Sequence, residues 1–404
     1  MARLLPRFIF STMKDYIFIL FPILLLSCSQ KNNLEFTKEL RESDKVFHIN
    51  LDSYINPNER TIRFYEDSLY ECITMRRILP KEIYDEIAFI DIHSGENIYN
   101  VKVYREGPNA IHGGLESYDI INKDSIFLTS IYLPIMYIIN RDGEIVKELK
   151  LNDVKAITYT YFSSMVNQPV VTKNQIIDFP QHVPYWRNRL QPNSNDFKFS
   201  DCPLAYTINL STDEVTKSEV SYPHLYDNDD HVDHDETFSR VFDGENYVYG
   251  FFKYDSIIVT PDYKTSKTYS AKSRYIGEVK NPGAPVGREI ADLMKLTTLA
   301  SYGNLVYDKY RKVFYRFCYF DNDYPGPYPL EYSMSYGAFT IMIINSDFEI
   351  VGETIFPAKR YASRVFFVNK DGLWLSENNF QREGVSDDIL SFRCLTLEDI
   401  SDEK

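Results

Sequence analysis

Apolar and aromatic runs of four to eight residues recur along this chain, separated by clusters of Asn, Asp, Gly and Ser. Runs of that length bounded by turn formers predict many short strands joined by hairpins. Helical spacing is confined to one short stretch, REIADLMK, residues 288–295.

Some of the hairpins repeat a phrase. YIINRDGEIV (137–146) returns as MIINSDFEIV (342–351), and from Ile138 and Ile343 seven of nine positions agree. Asn140 to Glu144 and Asn345 to Glu349 are each expected to turn between two apolar strands, because Asn and Asp bond nearby backbone and tolerate left-handed dihedrals. Gly143 supplies a positive φ at little cost, and Phe348 stands in its place in the second copy. The second turn is therefore expected to be of a different or more strained type. A variant one residue longer occurs at Asp91–Glu96 and Asn209–Glu214. A second echo, Ser239-Arg240-Val241-Phe242 and Ser363-Arg364-Val365-Phe366, opens a strand in each copy, with Asp-Gly following. A weaker one pairs Ser117-Tyr118 with Ser301-Tyr302.

Units with an opening strand and a closing hairpin predict a β-propeller or a stacked array. The units fall at 68–104, 115–151, 168–221, 237–272, 297–357 and 362–398, with N-terminal strands near 45–65 completing the last. The expected fold is all-β, a six-bladed β-propeller. Seven blades is the alternative, if 34–65 forms its own unit.

The N-terminus changes the picture. Tyr16 to Ser27 is an uncharged apolar run of twelve residues behind a basic start, Arg3 and Arg7, or Lys14 alone if translation begins at Met13. It is too short to span a bilayer as a helix and suits a signal-peptide core. Leu25-Leu26-Ser27-Cys28 resembles the lipobox of bacterial lipoproteins, which implies cleavage before Cys28 and acylation of that cysteine. The organisation expected is a signal peptide over 1–27, a lipidated tether over 28–44, one propeller over 45–398 and a tail over 399–404. Ser29 follows the cysteine, and Gln30-Lys31-Asn32-Asn33 carries no acidic run. In the lipoproteins this resembles, an acidic residue after the cysteine retains the protein at the inner membrane and an acidic run marks export to the surface. The periplasmic side of the outer membrane is therefore favoured, with the cell surface as the alternative.

Composition narrows the partners. Tyr 32 and Phe 27 favour strands and sheet-on-sheet packing. A net charge of −14 argues against nucleic acid and against an anionic membrane surface. Cys72, Cys202, Cys318 and Cys394 read as small buried hydrophobes, with a Cys318–Cys394 bridge left open. No CxxC, GxSxG, HExxH or phosphate loop is present, so no catalytic residue and no cofactor are indicated.

The lipobox, the Gly107-Pro108-Asn109-Ala110-Ile111 link, the Ser-Arg opening strands and Asp371-Gly372-Leu373-Trp374 together resemble a family of Bacteroidetes lipoproteins known only as domain of unknown function 4221. The resemblance covers nearly the whole mature chain and implies a six-bladed propeller. It implies no activity.

The acidic stretch DNDDHVDHDE (227–236) departs from the calcium-loop template, since Val232 stands at its sixth position and Phe238 at its twelfth. It reads as a solvated linker rather than a metal site. The Pro- and Tyr-rich stretch 324–332 and Trp186 beside Arg187 are candidate binding platforms, or loop anchors. In a propeller the strand that opens each blade lines the central channel. Arg240 and Arg364 are thus candidates to reach one axial funnel, with Tyr118 and Tyr302 entering from other blades, to grip a carboxylate, phosphate or glycan acid. The plainer reading is that each arginine pairs with an acidic residue of the next blade.

These features favour a non-enzymatic propeller, held on a membrane by its N-terminal lipid, that binds a glycan, a peptide or an envelope protein. A carbohydrate-active hydrolase or lyase with carboxylates in the funnel is the alternative. A purely structural partner of an envelope complex would instead expose an apolar patch.

Overall fold

The computed structural model describes residues 36–55, 62–130, 133, 135–150, 166–172, 176–180, 198–228, 238–277, 279, 300–321, 337–379 and 381–400. The leader with Cys28, the stretch 288–295, Trp186, the 324–332 segment and residues 229–236 of the acidic stretch lie outside them.

Six antiparallel sheets of four strands each make the blades. The first strand, β1 (Lys38–Asn50), belongs to the last of them. Blade 1 is β2 (Ile62–Glu66), β3 (Glu71–Arg77), β4 (Tyr84–Asp91) and β5 (Asn97–Tyr104). Blade 2 is β6 (Leu115–Asn122), β7 (Ser125–Ser130), β8 (Ile135–Ile139) and β9 (Ile145–Lys150). Blade 3 is β10 (Val170–Val171), β11 (Ile176–Pro180), β12 (Ala205–Asn209) and β13 (Val215–Lys217). Blade 4 is β14 (Phe238–Phe242), β15 (Tyr247–Phe251), β16 (Ser256–Thr260) and β17 (Lys267–Ser270). Blade 5 is β18 (Ser301–Asp308), β19 (Val313–Tyr319), β20 (Phe339–Ile344) and β21 (Ile350–Phe356). Blade 6 is β22 (Ala362–Val368), β23 (Leu373–Ser376), β24 (Ile389–Asp399) and β1. The chain is therefore a six-bladed β-propeller rather than a seven-bladed one.

The N-terminal strands divide differently from the sequence expectation. Only β1 completes the last blade, pairing with β24 from Lys38↔Asp399 to Asn50↔Ile389. β2 opens blade 1 instead, so that blade begins at residue 62 rather than 68.

Burial follows from the architecture. Both faces of a blade are covered by its neighbours, so middle strands are buried without alternation: every residue of β19 and β20 is buried, Arg316 and Thr340 included. Outer strands alternate, as in IVKELK of β9.

The repeated phrases are the turns between third and fourth strands. Asn140 Oδ1 accepts the backbone N–H groups of Asp142 and Glu144, and Gly143 has φ +81°. Asn345 Oδ1 accepts those of Asp347 and Glu349, and Phe348 has φ +64°. Both turns close with the same backbone pair, 140/144 and 345/349. Of the two alternatives expected, a different type is excluded and a more strained one holds: the type is the same, and Phe348 occupies the left-handed conformation itself. Its ring lies 4.8 Å from Tyr269 of blade 4 and 5.7 Å from Phe314, and this packing offsets the backbone cost. The longer turns at 91–96 and 209–214 likewise match each other, with Gly95 at φ +72° and Asp213 at φ +58°.

Strand direction sorts the connections. Turns between first and second and between third and fourth strands lie at one end of the propeller, the turn face. The other strand ends, including those joined by 181–204, 271–300 and 320–338, lie at the opposite end.

Candidate functional site

A cavity of about 590 Å³ opens at the turn face, and all six innermost strands or their flanks line it. It therefore sits on the propeller axis. Glu66 of β2, Asp119 of β6, Gln168 ahead of β10, Arg240 of β14, Val368 of β22, and Lys309 and Tyr310 just after β18 mark its wall.

These positions follow from local turn chemistry. Asp67, Asn122, Asp243, Asp308 and Asn369 each begin the turn after an innermost strand, and each side chain accepts backbone N–H groups two or three residues on. The residues beside these Asx turns are thereby fixed at the cavity mouth. Glu66 precedes Asp67, and Lys309 and Tyr310 follow Asp308.

At that mouth Lys309 Nζ lies 2.5 Å from Glu66 Oε2, and the Tyr310 hydroxyl donates to the same oxygen. Burial alone would raise the Glu66 carboxyl. The bonds from Lys309 and Tyr310 outweigh it and hold the group below its ordinary value. Deeper in the wall, Asp119 is 4% exposed and within 3.4 Å of Gln168 Nε2. Burial pushes its carboxyl up to about 7, against the opposing charge of Arg63. Near neutral pH it can therefore gain or lose a proton.

Arg240 is 1% exposed. Its Nη1 donates to the Asp178 carboxylate and, at 2.8 Å, to the Tyr263 hydroxyl, while Nη2 donates to the Gln168 carbonyl. Tyr247 donates its hydroxyl to the other Asp178 oxygen. Asp178 belongs to β11 of the preceding blade, so the pair ties blade 4 to blade 3.

Of the four described residues expected to meet at the axis, Arg240 alone lines the cavity. Tyr118 is buried, with its hydroxyl 3.2 Å from Thr74 Oγ1 of blade 1 and its ring 5.0 Å from the Arg63 guanidinium. Tyr302 is buried too, accepting the Ser273 N–H at 3.2 Å, with Arg316 stacked 3.8 Å over its ring. Arg364 is half-buried in a bulged stretch of β22. The physical reason is that side chains leave the two faces of a sheet, and both faces of a blade meet other blades. They point between blades rather than at the axis. The Ser-Arg-Val-Phe echo is also out of step. Phe242 directly precedes its turn residue Asp243, whereas Phe366 stands three residues before Asn369.

Sequence reasoning missed Glu66, Asp119, Lys309 and Tyr310. A usable signal existed, since the first turns of five blades begin with Asx and the channel residues flank it. The carboxylates are largely engaged: Glu66 by Lys309 and Tyr310, and Asp243 Oδ1 by the backbone of Glu245 and Asn246. Asp227, the described acidic residue of that stretch, accepts the Ser200 N–H and lies 3.1 Å from His224 Nδ1. All four described cysteines are free, three of them buried.

The fold and cavity can be set beside known proteins. A crystal structure of a DUF4221 family member from Bacteroides vulgatus superposes with a TM-score of 0.76 at 23% identity, covering 90% of this chain and 99% of that one. Virginiamycin B lyase from Staphylococcus aureus reaches a TM-score of 0.42 at 10% identity, over 87% of this chain and 99% of that one. A gluconolactonase from Xanthomonas campestris reaches 0.39 at 7% identity, over 90% and 99%. The last two are too distant to carry any argument about function. No curated protein matches the sequence significantly. The family model described as "Domain of unknown function (DUF4221)" matches residues 39–355, most of the propeller, and this chain belongs to that family.

Proposed function

We propose that this protein is a lipid-anchored binding propeller of the bacterial cell envelope, which holds a small ligand in its axial cavity without transforming it. The observation that carries this reading is the cavity itself. Its volume of about 590 Å³ falls in the range typical of small-molecule sites, and all six blades contribute to its wall. A cation, a phenol and a carboxylate stand at the mouth, with the buried Asp119 below. Such a wall suits a polar ligand such as a glycan or peptide end, while engaged carboxylates suit chemistry poorly. Anchoring rests on Leu25-Leu26-Ser27-Cys28 and favours the periplasmic side of the outer membrane.

Two experiments test the two halves. Mass spectrometry of the mature N-terminus should find an acylated Cys28, and Cys28→Ser should release the protein from membranes. A thermal-shift screen of the full chain against acidic and neutral oligosaccharides and peptides should find a stabilising ligand. A ligand at one hundred times its Kd adds about 2.7 kcal/mol. Lys309→Ala should weaken that shift. A screen with no shift at all would sink the small-ligand reading and leave a protein partner on the turn face.

One observation favours a hydrolase or lyase instead. Asp119 carries a carboxyl pushed up to about 7, suited to proton transfer at neutral pH, in the same wall as Glu66 and Asp243. Turnover of a bound oligosaccharide, lost in Asp119→Asn, would establish that reading.

A further inference from the structure

A second cavity, of about 400 Å³, lies where the ring closes, between blade 6 and blade 1. We infer that it is a binding site for a neutral hydroxylated ring, such as one sugar unit of a glycan. The inference stands apart from the axial reading, and the two cavities share none of their described lining residues.

The argument begins with Asn369, which is 1% exposed and lines this cavity. Its Oδ1 accepts the Trp374 indole N–H at 2.8 Å and the Asp371 backbone N–H at 2.9 Å. Two N–H groups on one oxygen fix which end of the amide is which, since the reversed amide would set donor against donor. The Nδ2 end therefore points elsewhere, and among the described residues it has no hydrogen-bond partner. A buried donor left unmade costs about 1–3 kcal/mol, so an acceptor oxygen that reaches it from the cavity that Asn369 lines recovers that cost.

The other walls say what carries that oxygen. Phe367 and Trp374 lie stacked, 5.6 Å apart with planes 7° from parallel, and supply an apolar side. His48 and His93 border the opening; His48 Nδ1 meets Ser391 Oγ at 2.8 Å and His93 Nε2 lies 3.3 Å from Glu71 Oε2, which leaves each ring its other nitrogen to donate or accept. Asp371 offers acceptor oxygens, and its charge is balanced by Lys45 at 2.6 Å. Among the described residues neither lysine nor arginine lines the cavity, which disfavours an anion, and the pairing of Asp371 with Lys45 disfavours a cation. An apolar face ringed by neutral donors and acceptors matches a sugar ring, whose C–H face packs on aromatic carbon while its hydroxyls bond at the edge. The site is rigidly framed: the turn holding His93 packs so closely on β1 that a Cβ at Gly95 would lie 3.0 Å from the His48 carbonyl oxygen.

The chain has two tryptophans, so the full chain labelled with 5-fluorotryptophan gives two ¹⁹F resonances, assigned with Trp186→Phe. Methyl glucoside, methyl galactoside and N-acetylglucosamine are then titrated, with glucuronate as the anionic comparison. The expected result is a saturable shift of the Trp374 resonance with a neutral sugar, at a Kd on the order of 1 mM, while the Trp186 resonance stays fixed. Asn369→Asp keeps the Oδ1 acceptor and removes the unpaired donor, and should weaken binding about tenfold. His93→Ala, at a side chain 61% exposed, tests the site without touching the core and should weaken binding severalfold. No saturable shift with any neutral sugar overturns the inference. So does unchanged affinity in His93→Ala and in any folded Asn369→Asp, or tighter binding of glucuronate than of every neutral sugar.

Discussion

Lys309 of blade 5 and Glu66 of blade 1 meet at 2.5 Å although a whole blade separates them around the ring. With Tyr310 bonded to the same oxygen, the contact is a clasp over the axial mouth. Glu66 is held below its ordinary carboxyl value, so the clasp stabilises the fold at neutral pH and the contribution is lost as the pH falls below about 4.5. Lys309 is 60% exposed, so the solvent-screened gain is small, about 0.5–1 kcal/mol. Glu66→Gln should flatten the acid limb of a melting-temperature profile between pH 3 and 6 and leave the alkaline side unchanged. An unaltered acid limb would mean that the clasp contributes nothing in solution.

The pairing of Arg240 with Asp178 is the reverse case, buried on both sides. Arg240→Ala strands a carboxylate between two blades and should cost about 3–5 kcal/mol in urea denaturation. Replacing both residues with apolar ones, Arg240→Met with Asp178→Leu, should cost less than Arg240→Ala alone, because no unpaired charge remains. A loss below about 1 kcal/mol in the single variant would show that water reaches the pair.

The contrast between these two arginine and lysine contacts marks what the sequence disclosed. Blade number, closure by an N-terminal strand and the places of the hairpin turns were legible, because Asx turns and apolar runs are local signals; that β2 leaves the closing blade to open the first was not. The tangential aim of Tyr118 and Tyr302 was not, since it depends on blades packing face to face. Nor was the partner of Arg240: Asp178 lies 62 residues earlier in a short strand that nothing local distinguishes. Glu66 and Lys309 belong to blades far apart in the chain, and only closure of the ring makes them neighbours.

Phe348 offers a test of how a repeat tolerates divergence. In its counterpart turn, a Cβ at Gly143 would meet the Lys102 carbonyl oxygen at 2.3 Å, so Gly143→Ala suffers both a clash and a left-handed φ. It should cost more than the about 1–2 kcal/mol of the φ alone. At 348 the space is filled by a ring that packs against Tyr269. Phe348→Ala should destabilise by about 2–3 kcal/mol through lost packing. Phe348→Gly removes the same ring and also the strain, and should be about 1 kcal/mol more stable than Phe348→Ala. Equal stability of the two variants, measured by denaturant melts, would mean that the left-handed conformation is lost once the ring is gone.

Asp119 sets the pH response above the acid limb. Its carboxyl is raised by burial, so the folded protein holds a proton that the unfolded chain releases near pH 4. Between pH 4 and about 7 this group binds more protons in the folded state, and its contribution to stability falls as the pH rises, by at most about 1.4 kcal/mol per unit. Above that window the slope vanishes, because both states are ionised. Asp119→Asn keeps the shape and cannot ionise. Relative to the parent protein it should gain stability progressively from pH 5 to pH 7 and hold a constant advantage above it. Melting temperatures of the two proteins measured in parallel from pH 4 to pH 8.5 isolate this group from all others. Parallel curves would show that Asp119 is already ionised at pH 5, which would also remove the observation that favours proton transfer in the axial cavity.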